Sequence, residues 1–317
     1  MPFQRQGFVI CPYSCRNTPG VDWAMLVKKA GLNTLGIHNG GGLQNARKLK
    51  YVLKTMIGRH LLQRCRNFGI DIEYELHAMS SLLPRNYFAR HPEWFVYNEK
   101  QKKRIRDYNL CSHAPRAMAK VCQQAALMAR RYPPTTGRYF LWQDDAWKCW
   151  CRCPKCRPYG AADQCMMVMN AMVGAMRQDI PDARLAFLAY IDTLEGPTVV
   201  KPAPGIFLEF APIHRCYLHA VNDKRCRTNV AIWAKLLRLL TVFPAAETHI
   251  LEYWLDQKFL QCRKDYVFPV MKQDLKAYRS LGIRSITSFA TFDADTPLKP
   301  CHIGDIMRYG ECMRRDM

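Results

Sequence analysis

The sequence predicts an α/β fold in which eight β-strands and their following helices close into a (β/α)8 barrel of the TIM type. Eight short apolar runs with strand character recur along the chain, and helical stretches separate most of them. A length of 317 residues is normal for one such barrel. The alternative, an open doubly wound sheet, lacks its usual Gly-x-Gly-x-x-Gly motif after a strand. We therefore expect residues 1–317 to form a single barrel domain.

The first half of the chain supplies four strand–helix units. Gly31 and Gly69 end the first two helices, because glycine readily adopts the left-handed conformation found there. Pro133 and Pro134 end the third helix. An aromatic-rich loop over 78–110 separates the third strand from that helix. The predicted elements are strands 7–13, 34–38, 71–77 and 138–143 and helices 21–30, 45–68, 114–131 and 163–177.

The second half supplies four more strands, and one helix is missing from it. The connection between strands five and six is short and proline-rich, so it has no room for a full helix. Asp163 is predicted to cap the helix that precedes strand five. The methionines of that helix are expected to pack in the core. The predicted elements are strands 184–190, 205–210, 248–253 and 284–289 and helices 229–240, 267–281 and 303–313.

The formal net charge of +21 raises the question of a nucleic-acid partner. The Lys and Arg residues are spread along the chain, and no helix-turn-helix, zinc-finger or aromatic-stacking signature accompanies them. We therefore expect a solvated basic surface and no nucleic-acid partner. No apolar run approaches the roughly 20 residues that span a bilayer, so we expect no membrane partner. The first residues lack the apolar segment of a signal peptide, which favours the cytoplasm; a trimmed leader would instead mean secretion.

Polar side chains follow six consecutive predicted strands, from the second to the seventh. Because active sites of barrels lie at the carboxyl ends of the strands, we expect these side chains to face one cleft. Carboxylates that bind hydroxyl groups and rings that stack on sugar faces are typical of a carbohydrate site. A single histidine or a buried glutamate such as Glu209 is, however, often structural. The candidate substrate-binding residues are His38, Glu75, His77, Trp142, Tyr190, Glu209, Tyr253 and Asp256.

Asp144 and Asp145 are the strongest candidates for catalysis. They directly follow the apolar run that is predicted as the fourth strand. Two adjacent carboxylates repel each other unless a substrate, a metal or a base makes use of them. Because successive strand residues face opposite ways, the chain is expected to turn at this pair.

Cysteines follow the acid pair in the pattern Cys-x-Cys-x-Cys-x-x-Cys. The chain has 15 cysteines scattered along its length, which does not resemble the dense, even-numbered framework of small secreted proteins. Closely spaced thiolates are good ligands for zinc, which takes four in a structural site. The candidates are Cys149, Cys151, Cys153 and Cys156, and the fourth ligand could instead be a remote Cys111 or Cys165. The alternative is that these are packed or free thiols. We expect a structural zinc ion that stiffens this loop, and no organic cofactor.

Several long motifs resemble the family called domain of unknown function 4838. They are YELHAMSSLLPRNYFARHPEWF, NLCSHAPRAM, WQDDAWKCWCRCPKC, LAYIDT, GIFLEFAPIHRC and LEYWLDQKF. The resemblance implies a glycosidase-like (β/α)8 barrel, related in layout to hexosaminidase-type barrels, and it assigns no reaction. The family pattern includes the Cys-x-Cys-x-x-Cys core but not Cys149, which favours a remote fourth ligand. Gly160-Ala161-Ala162 departs from the serine-containing stretch of the family.

The resemblance also implies roles for the acids. Strand four of glycosidase barrels commonly carries the general acid, and hexosaminidase and O-GlcNAc-hydrolase groups place two adjacent acids there. By this likeness Asp145 donates the proton and Asp144 orients the substrate's acetamido group, which replaces an enzyme nucleophile. The alternative is Asp145 as acid and Glu252 as nucleophile, which needs about 5 Å between the carboxyl groups. We thus expect a retaining glycoside hydrolase acting on a terminal sugar, with N-acetylhexosamine as one candidate. The alternative is a non-catalytic carbohydrate-binding barrel.

Overall fold

Eight parallel strands form a closed barrel, which confirms the predicted fold class. The computed structural model describes residues 2–11, 21–38, 49, 53–256, 264–290 and 298–314. In chain order the strands are β1 Arg5–Ile10, β2 Thr34–His38, β3 Asp71–His77, β4 Tyr97–Asn98, β5 Lys103–Arg104, β6 Arg138–Trp142, β7 Arg184–Ala189, β8 Ile206–Phe210, β9 His249–Glu252 and β10 Ser285–Phe289. The order around the barrel is β1-β10-β9-β8-β7-β6-β3-β2, and β4 pairs with β5 in a separate antiparallel hairpin.

The barrel strands are largely buried on both faces, as parallel strands covered by helices are expected to be. Every residue of β2, β6, β8, β9 and β10 is buried. The helices that alternate with these strands are α1 Trp23–Lys29, α2 Met56–Phe68, α3 Met79–Leu82, α4 Pro115–Arg131, α5 Ala161–Asp179, α6 Arg227–Leu239, α7 Lys264–Ser280 and α8 Pro300–Arg314. Among the described residues, no helix combines the length and the hydropathy required to cross a bilayer.

The predicted boundaries agree with the structure to within about three residues wherever it describes them. Strands 34–38 and 71–77 match at both ends, and Gly69 ends α2 with a left-handed φ of 64°. Between β7 and β8 the chain forms only a single turn of 3-10 helix, Ile191–Thr193, as the short connection predicts. The predicted end of strand 7–13, the start of helix 45–68 and Asn39 lie outside the described residues.

One capping prediction is wrong. Helix α5 begins at Ala161 with Gly160 as its N-cap, so Asp163 lies within the first turn. Its carboxylate instead accepts hydrogen bonds from the backbone N–H groups of residues 198–200, at 3.0, 2.8 and 2.8 Å, and from the Thr198 hydroxyl at 2.9 Å. Burial alone would raise the pKa of Asp163, but these donors lower it. Asp163 therefore fastens the connection before β8 to α5.

The contacts divide the chain into two compact units. The first contains Met1–His38, Lys50–Glu73 and Leu208–Met317, and the second contains Asn39–Leu49 and Tyr74–Phe207. In the first unit, α8 lies so close to the end of α1 that a Cβ atom on Gly310 would be 2.0 Å from the Ala30 carbonyl oxygen. Only glycine fits at that position. The single domain that the sequence predicts stays a prediction.

Within the second unit, the loop after β3 has more structure than its sequence suggested. It contains α3, two 3-10 turns at Arg85–Ala89 and Pro92–Trp94, and the hairpin of β4 and β5. The His91 and Trp94 rings stack with centroids 4.3 Å apart. This loop approaches the end of β6, where the acid pair lies.

Candidate active site and thiol cluster

The Asp144 carboxylate is held by hydrogen bonds from other residues of the second unit. Its side chain is buried, with 1% exposed. One carboxylate oxygen accepts from the Ser80 backbone N–H at 3.2 Å and from the Ser80 hydroxyl at 2.8 Å. The other accepts from Arg85 Nη2 at 2.9 Å and from the Asn109 N–H at 2.7 Å. Four donors from three residues therefore occupy the carboxylate.

Asn109 both donates a hydrogen bond to Asp144 and accepts one from it. Its side-chain oxygen accepts from the Asp144 backbone N–H at 2.9 Å, while its own N–H donates to the Asp144 carboxylate. Its amide nitrogen also donates to the Cys149 carbonyl at 3.3 Å. Asn109 has a positive φ of 31°, in a region that Asn tolerates better than most residues. The end of the long loop and the acid turn are thus held as one assembly.

Arg85 provides the positive charge beside Asp144. It donates to the Asn109 carbonyl at 2.8 Å as well as to the Asp144 carboxylate. The side chains of this ion pair are 12% and 0% exposed. Burial lowers the pKa of Arg85, and the neighbouring Asp144 partly opposes this shift. Removing either partner would leave a buried charge without its counter-charge.

Asp145 faces a different environment. It is half-buried, and the Tyr190 hydroxyl donates to its carboxylate at 3.2 Å. Burial, followed by the charge of Asp145, raises the pKa of Tyr190, so this hydroxyl remains a donor. A hydrogen bond of 3.0 Å from the Ala146 N–H to the Asp144 carbonyl forms a tight turn around Asp145. The chain does turn at the pair, and the more exposed carboxyl group is that of Asp145.

His77 and Trp142 lie behind this turn and are buried, with 5% and 1% exposed. Their rings pack edge to face at 5.1 Å. His77 Nδ1 lies 2.5 Å from the Gln143 carbonyl oxygen, and since a carbonyl only accepts, this nitrogen carries the proton. Glu75, fully buried on β3, is paired in register with Phe140 of β6. His77 therefore supports the acid turn from β3 through the Gln143 carbonyl.

Glu252, the candidate nucleophile in the first unit, is at the centre of a buried ion-pair network. Arg215 Nε lies 3.1 and 3.2 Å from its two oxygens, and the Tyr278 hydroxyl donates to it at 2.6 Å. Arg215 also pairs with Asp274, which accepts from Trp254 Nε1 at 3.1 Å. Burial alone would lower the pKa of Arg215, but Asp274 and Glu252 raise it well above its ordinary value.

This network gives Glu252 a structural setting. Tyr278 and Asp274 both belong to α7, so the Glu252 side chain lies on the helix-facing side of β9. It has no exposed surface. The part of Glu252 in catalysis stays a prediction. Arg215 was missed in the sequence, where its position in the motif GIFLEFAPIHRC, otherwise mostly apolar, is the signal that could have found it.

The other candidates in the first unit lie at strand ends. His38 and Tyr253 both pack on Phe289, with ring centroids 5.0 and 5.1 Å away. The Asp256 N–H donates to the Tyr253 carbonyl at 3.1 Å in a turn that follows β9. Glu209 is fully buried on β8. The cleft that these residues are expected to share with Asp144 and Asp145 stays a prediction.

Four buried thiols meet beside the acid turn, and we call them the four-thiol cluster: Cys111, Cys151, Cys153 and Cys156. Their sulfur atoms all lie within 4.8 Å of one another. Cys111 Sγ is 3.7 Å from Cys153 Sγ and 3.6 Å from Cys156 Sγ. Cys149 makes other contacts, since its Sγ lies 3.1 Å from the Ala146 carbonyl oxygen. The structure thus groups the remote Cys111, and not Cys149, with the other three.

The surroundings of the four-thiol cluster suit negatively charged sulfur. Cys151 Sγ accepts from the Tyr97 N–H and from Arg104 Nη1, both at 3.4 Å. His113 Nδ1 lies 3.3 Å from Cys156 Sγ. Thiolates need such donors when they are buried. The four sulfurs, their burial and these donors fit a tetrahedral zinc site.

Solved structures of similar fold include glycoside hydrolases. Gan42B, a GH42 β-galactosidase from G. stearothermophilus, shares 12% identity at a TM-score of 0.60 over 98% of this chain and 56% of its own. A β-galactosidase from Rahnella sp. R3 shares 12% identity at a TM-score of 0.60, over 99% and 56%. ZgEngAGH5_4 in complex with a cellotriose shares 12% identity at a TM-score of 0.54, over 98% and 95%. At such identity the likeness supports the fold alone, and the chain spans little more than half the length of the two β-galactosidases.

The sequence comparisons give the family. No curated protein matches the chain in sequence. The family described as "Domain of unknown function (DUF4838)" matches residues 44–296, which is most of the chain. The resemblance expected from the motifs is confirmed, and the chain belongs to the DUF4838 family.

Proposed function

We propose that this protein is a glycoside hydrolase that acts on a terminal sugar, with Asp145 as the proton donor. The observation that carries the proposal is the unequal pair at the end of β6. Asp144 is fully occupied by protein donors, while Asp145 is half-buried beside Tyr190. Barrel enzymes place their reacting groups at the carboxyl ends of strands, where Asp145 lies. The glycosidase barrels of similar fold support the same class of reaction.

The mechanism that we propose is retaining and substrate-assisted. Asp145 protonates the leaving oxygen while the acetamido oxygen of the sugar attacks the anomeric carbon and the glycosidic C–O bond breaks. Water, which gives its proton back to the Asp145 carboxylate, then opens the resulting oxazoline, so that no protein nucleophile is needed. The complete burial of Glu252 favours this mechanism over one with two carboxylates. The expected role of Asp144, to orient the acetamido group, stays a prediction, since its carboxylate already accepts from Ser80, Arg85 and Asn109. N-acetylhexosamine is the sugar that such a mechanism requires. Trp147, 58% exposed and two residues after Asp145, offers a ring for stacking.

A panel of nitrophenyl glycosides tests this proposal. We expect turnover of an N-acetylhexosaminide. On N-acetylglucosamine oligomers, whose sugar leaving group needs a proton, Asp145→Asn should lower turnover by about 10²–10⁴-fold because a general acid contributes that much. Asp179→Asn, which changes an exposed acid of α5, is the matched control and should keep full activity. Unchanged turnover of these oligomers by Asp145→Asn contradicts the assignment.

The alternative function is a carbohydrate-binding barrel without catalysis. Buried carboxylates and exposed aromatic rings serve binding as well as hydrolysis. Calorimetric binding of N-acetylglucosamine oligomers without turnover of any glycoside in the panel would favour this alternative.

We also propose that the four-thiol cluster holds a structural zinc ion. Cys111 comes from the long loop and the other three from the loop after β6, so a bound ion would join the loop that holds the Asp144 carboxylate to the loop that begins at Asp144. When bound, zinc would supply folding energy and no chemistry.

Metal analysis of protein purified without added zinc tests this site. Relative to the unchanged protein, we expect Cys111→Ser to lose one equivalent of zinc. Cys149→Ser alters a thiol two residues from Cys151 and should keep that equivalent. A metal content that Cys111→Ser leaves unchanged contradicts the proposal.

A further inference from the structure

A second group of metal-ligating side chains lies in the segment between β8 and α6 of the first unit. Cys216, His219 and Cys226 place one ligand atom each within 4.8 Å of one another. Cys216 Sγ is 3.3 Å from His219 Nδ1. Cys226 is buried, Cys216 is half-buried and His219 is exposed, so the group opens to solvent on its imidazole side. It shares no residue with the four-thiol cluster.

The backbone of this segment is held by the side chain of Asn229. Asn229 is fully buried on α6, and its side-chain oxygen accepts from the Cys216 N–H at 2.8 Å. Its amide nitrogen donates to the carbonyls of Cys216, His219 and Ala220 at 2.9, 3.0 and 2.9 Å. One amide side chain therefore fixes the loop around the ligand atoms. A metal ion binding there would not have to order the backbone first, which lowers the entropy cost of binding.

The ligand types identify the ion. Two thiolates and one imidazole are ligands for borderline and soft cations, of which zinc is the usual partner of this mixture. Three protein ligands leave one tetrahedral position for water or another small ligand. The exposure of His219 places that position toward solvent. Calcium and magnesium prefer oxygen ligands, and the group offers none.

We infer that Cys216, His219 and Cys226 form a second zinc site with one coordination position open to solvent. Arg215, which is adjacent to Cys216 in the chain, holds both Glu252 and Asp274. A zinc ion at this site would fasten the segment that carries Arg215. The site would therefore stiffen the buried network from the surface side.

Zinc and cobalt titration of the full chain, reduced and stripped with a chelator, tests the inference. We expect His219→Gln to bind one equivalent less than the unchanged protein, whatever the four-thiol cluster holds. Since His219 is exposed, this variant should fold normally, which a thermal unfolding curve checks. Cys216→Ser should also lose one equivalent, together with part of the thiolate-to-cobalt charge-transfer absorption. Cys301→Ser, which removes an exposed thiol outside both groups, is the matched control and should change neither.

Two results would overturn the inference. One is an unchanged number of zinc equivalents in both His219→Gln and Cys216→Ser. The other is a Cys216–Cys226 disulfide found by peptide mass spectrometry in protein purified without reductant, with no metal at the site after reduction. In that case the two thiols would be a redox pair and His219 a neighbour without ligand function.

Discussion

Asp144→Asn should lower the stability of the protein, whereas Asp145→Asn should lower its activity and leave its stability nearly unchanged. In Asp144→Asn, the new amide group must face two of the four donors that the carboxylate now accepts. The buried Arg85 also loses its counter-charge. Breaking a buried pair by removing one partner costs about 3–5 kcal/mol. Asp145→Asn keeps its size, can still accept from the Tyr190 hydroxyl and is half-buried, so we expect it to cost less than about 1 kcal/mol.

The assay is thermal and urea-induced unfolding of both variants beside the unchanged protein. A chain of this size unfolds with an entropy of about 0.7 kcal/mol/K, so Asp144→Asn should lower Tm by about 4–7 °C. Asp145→Asn should stay within about 1–2 °C. The reasoning is refuted if the two variants lose similar stability, or if Asp144→Asn unfolds with the midpoint of the unchanged protein.

Three further outcomes follow from the contacts. Asp163→Asn keeps the shape but not the charge of the side chain, and we expect a loss of about 1–2 kcal/mol at pH 7. Because the pKa of Asp163 is lowered in the folded protein, its contribution to stability is present above about pH 4 and is lost as the pH falls through the folded pKa. The urea midpoints of Asp163→Asn and the unchanged protein should therefore converge in acid. Arg215→Met leaves two carboxylates buried without their cation and should cost about 3–5 kcal/mol of stability. Tyr278→Phe removes one hydrogen bond and should cost about 1–2 kcal/mol. Equal urea midpoints of the two variants would contradict this ranking. Gly310→Ala places a methyl group against the Ala30 carbonyl and should cost about 3 kcal/mol, and an unchanged Tm would show that α8 can shift.

The fold could be predicted because its signals are local. Strand 34–38 lies between two asparagines in the sequence, and Gly69 marks the end of α2 directly. Asp163 was misplaced because its partners lie 35–37 residues away in sequence, where no local pattern points to them. Helix formers at Ala161 and Ala162 also extend α5 beyond the predicted cap.

The candidate site could be located from the sequence, but its internal arrangement could not. The adjacency of Asp144 and Asp145 marks the position, yet the donors that bury Asp144 come from Ser80, 64 residues away, and from Asn109, 35 residues away. In the same way, the spacing of the cysteines gives three members of the four-thiol cluster, and only the fold brings Cys111 to them. Long-range contacts of this kind decide which of two equivalent residues is buried.

The long loop after β3 is fastened near both of its ends, and Tyr97 and Arg104 hold its hairpin to Cys151, which leaves the hairpin tip open to change. Ser80 and Arg85 hold the first end to Asp144, and Asn109 holds the last. Between them, the turn that joins β4 to β5 is exposed from residue 99 to residue 103. Extra residues inserted at that turn would lengthen the hairpin tip without entering the acid turn, because loop closure costs little and the anchors lie outside it. The tip is therefore the place to attach a label or a binding tag while the acid pair stays undisturbed.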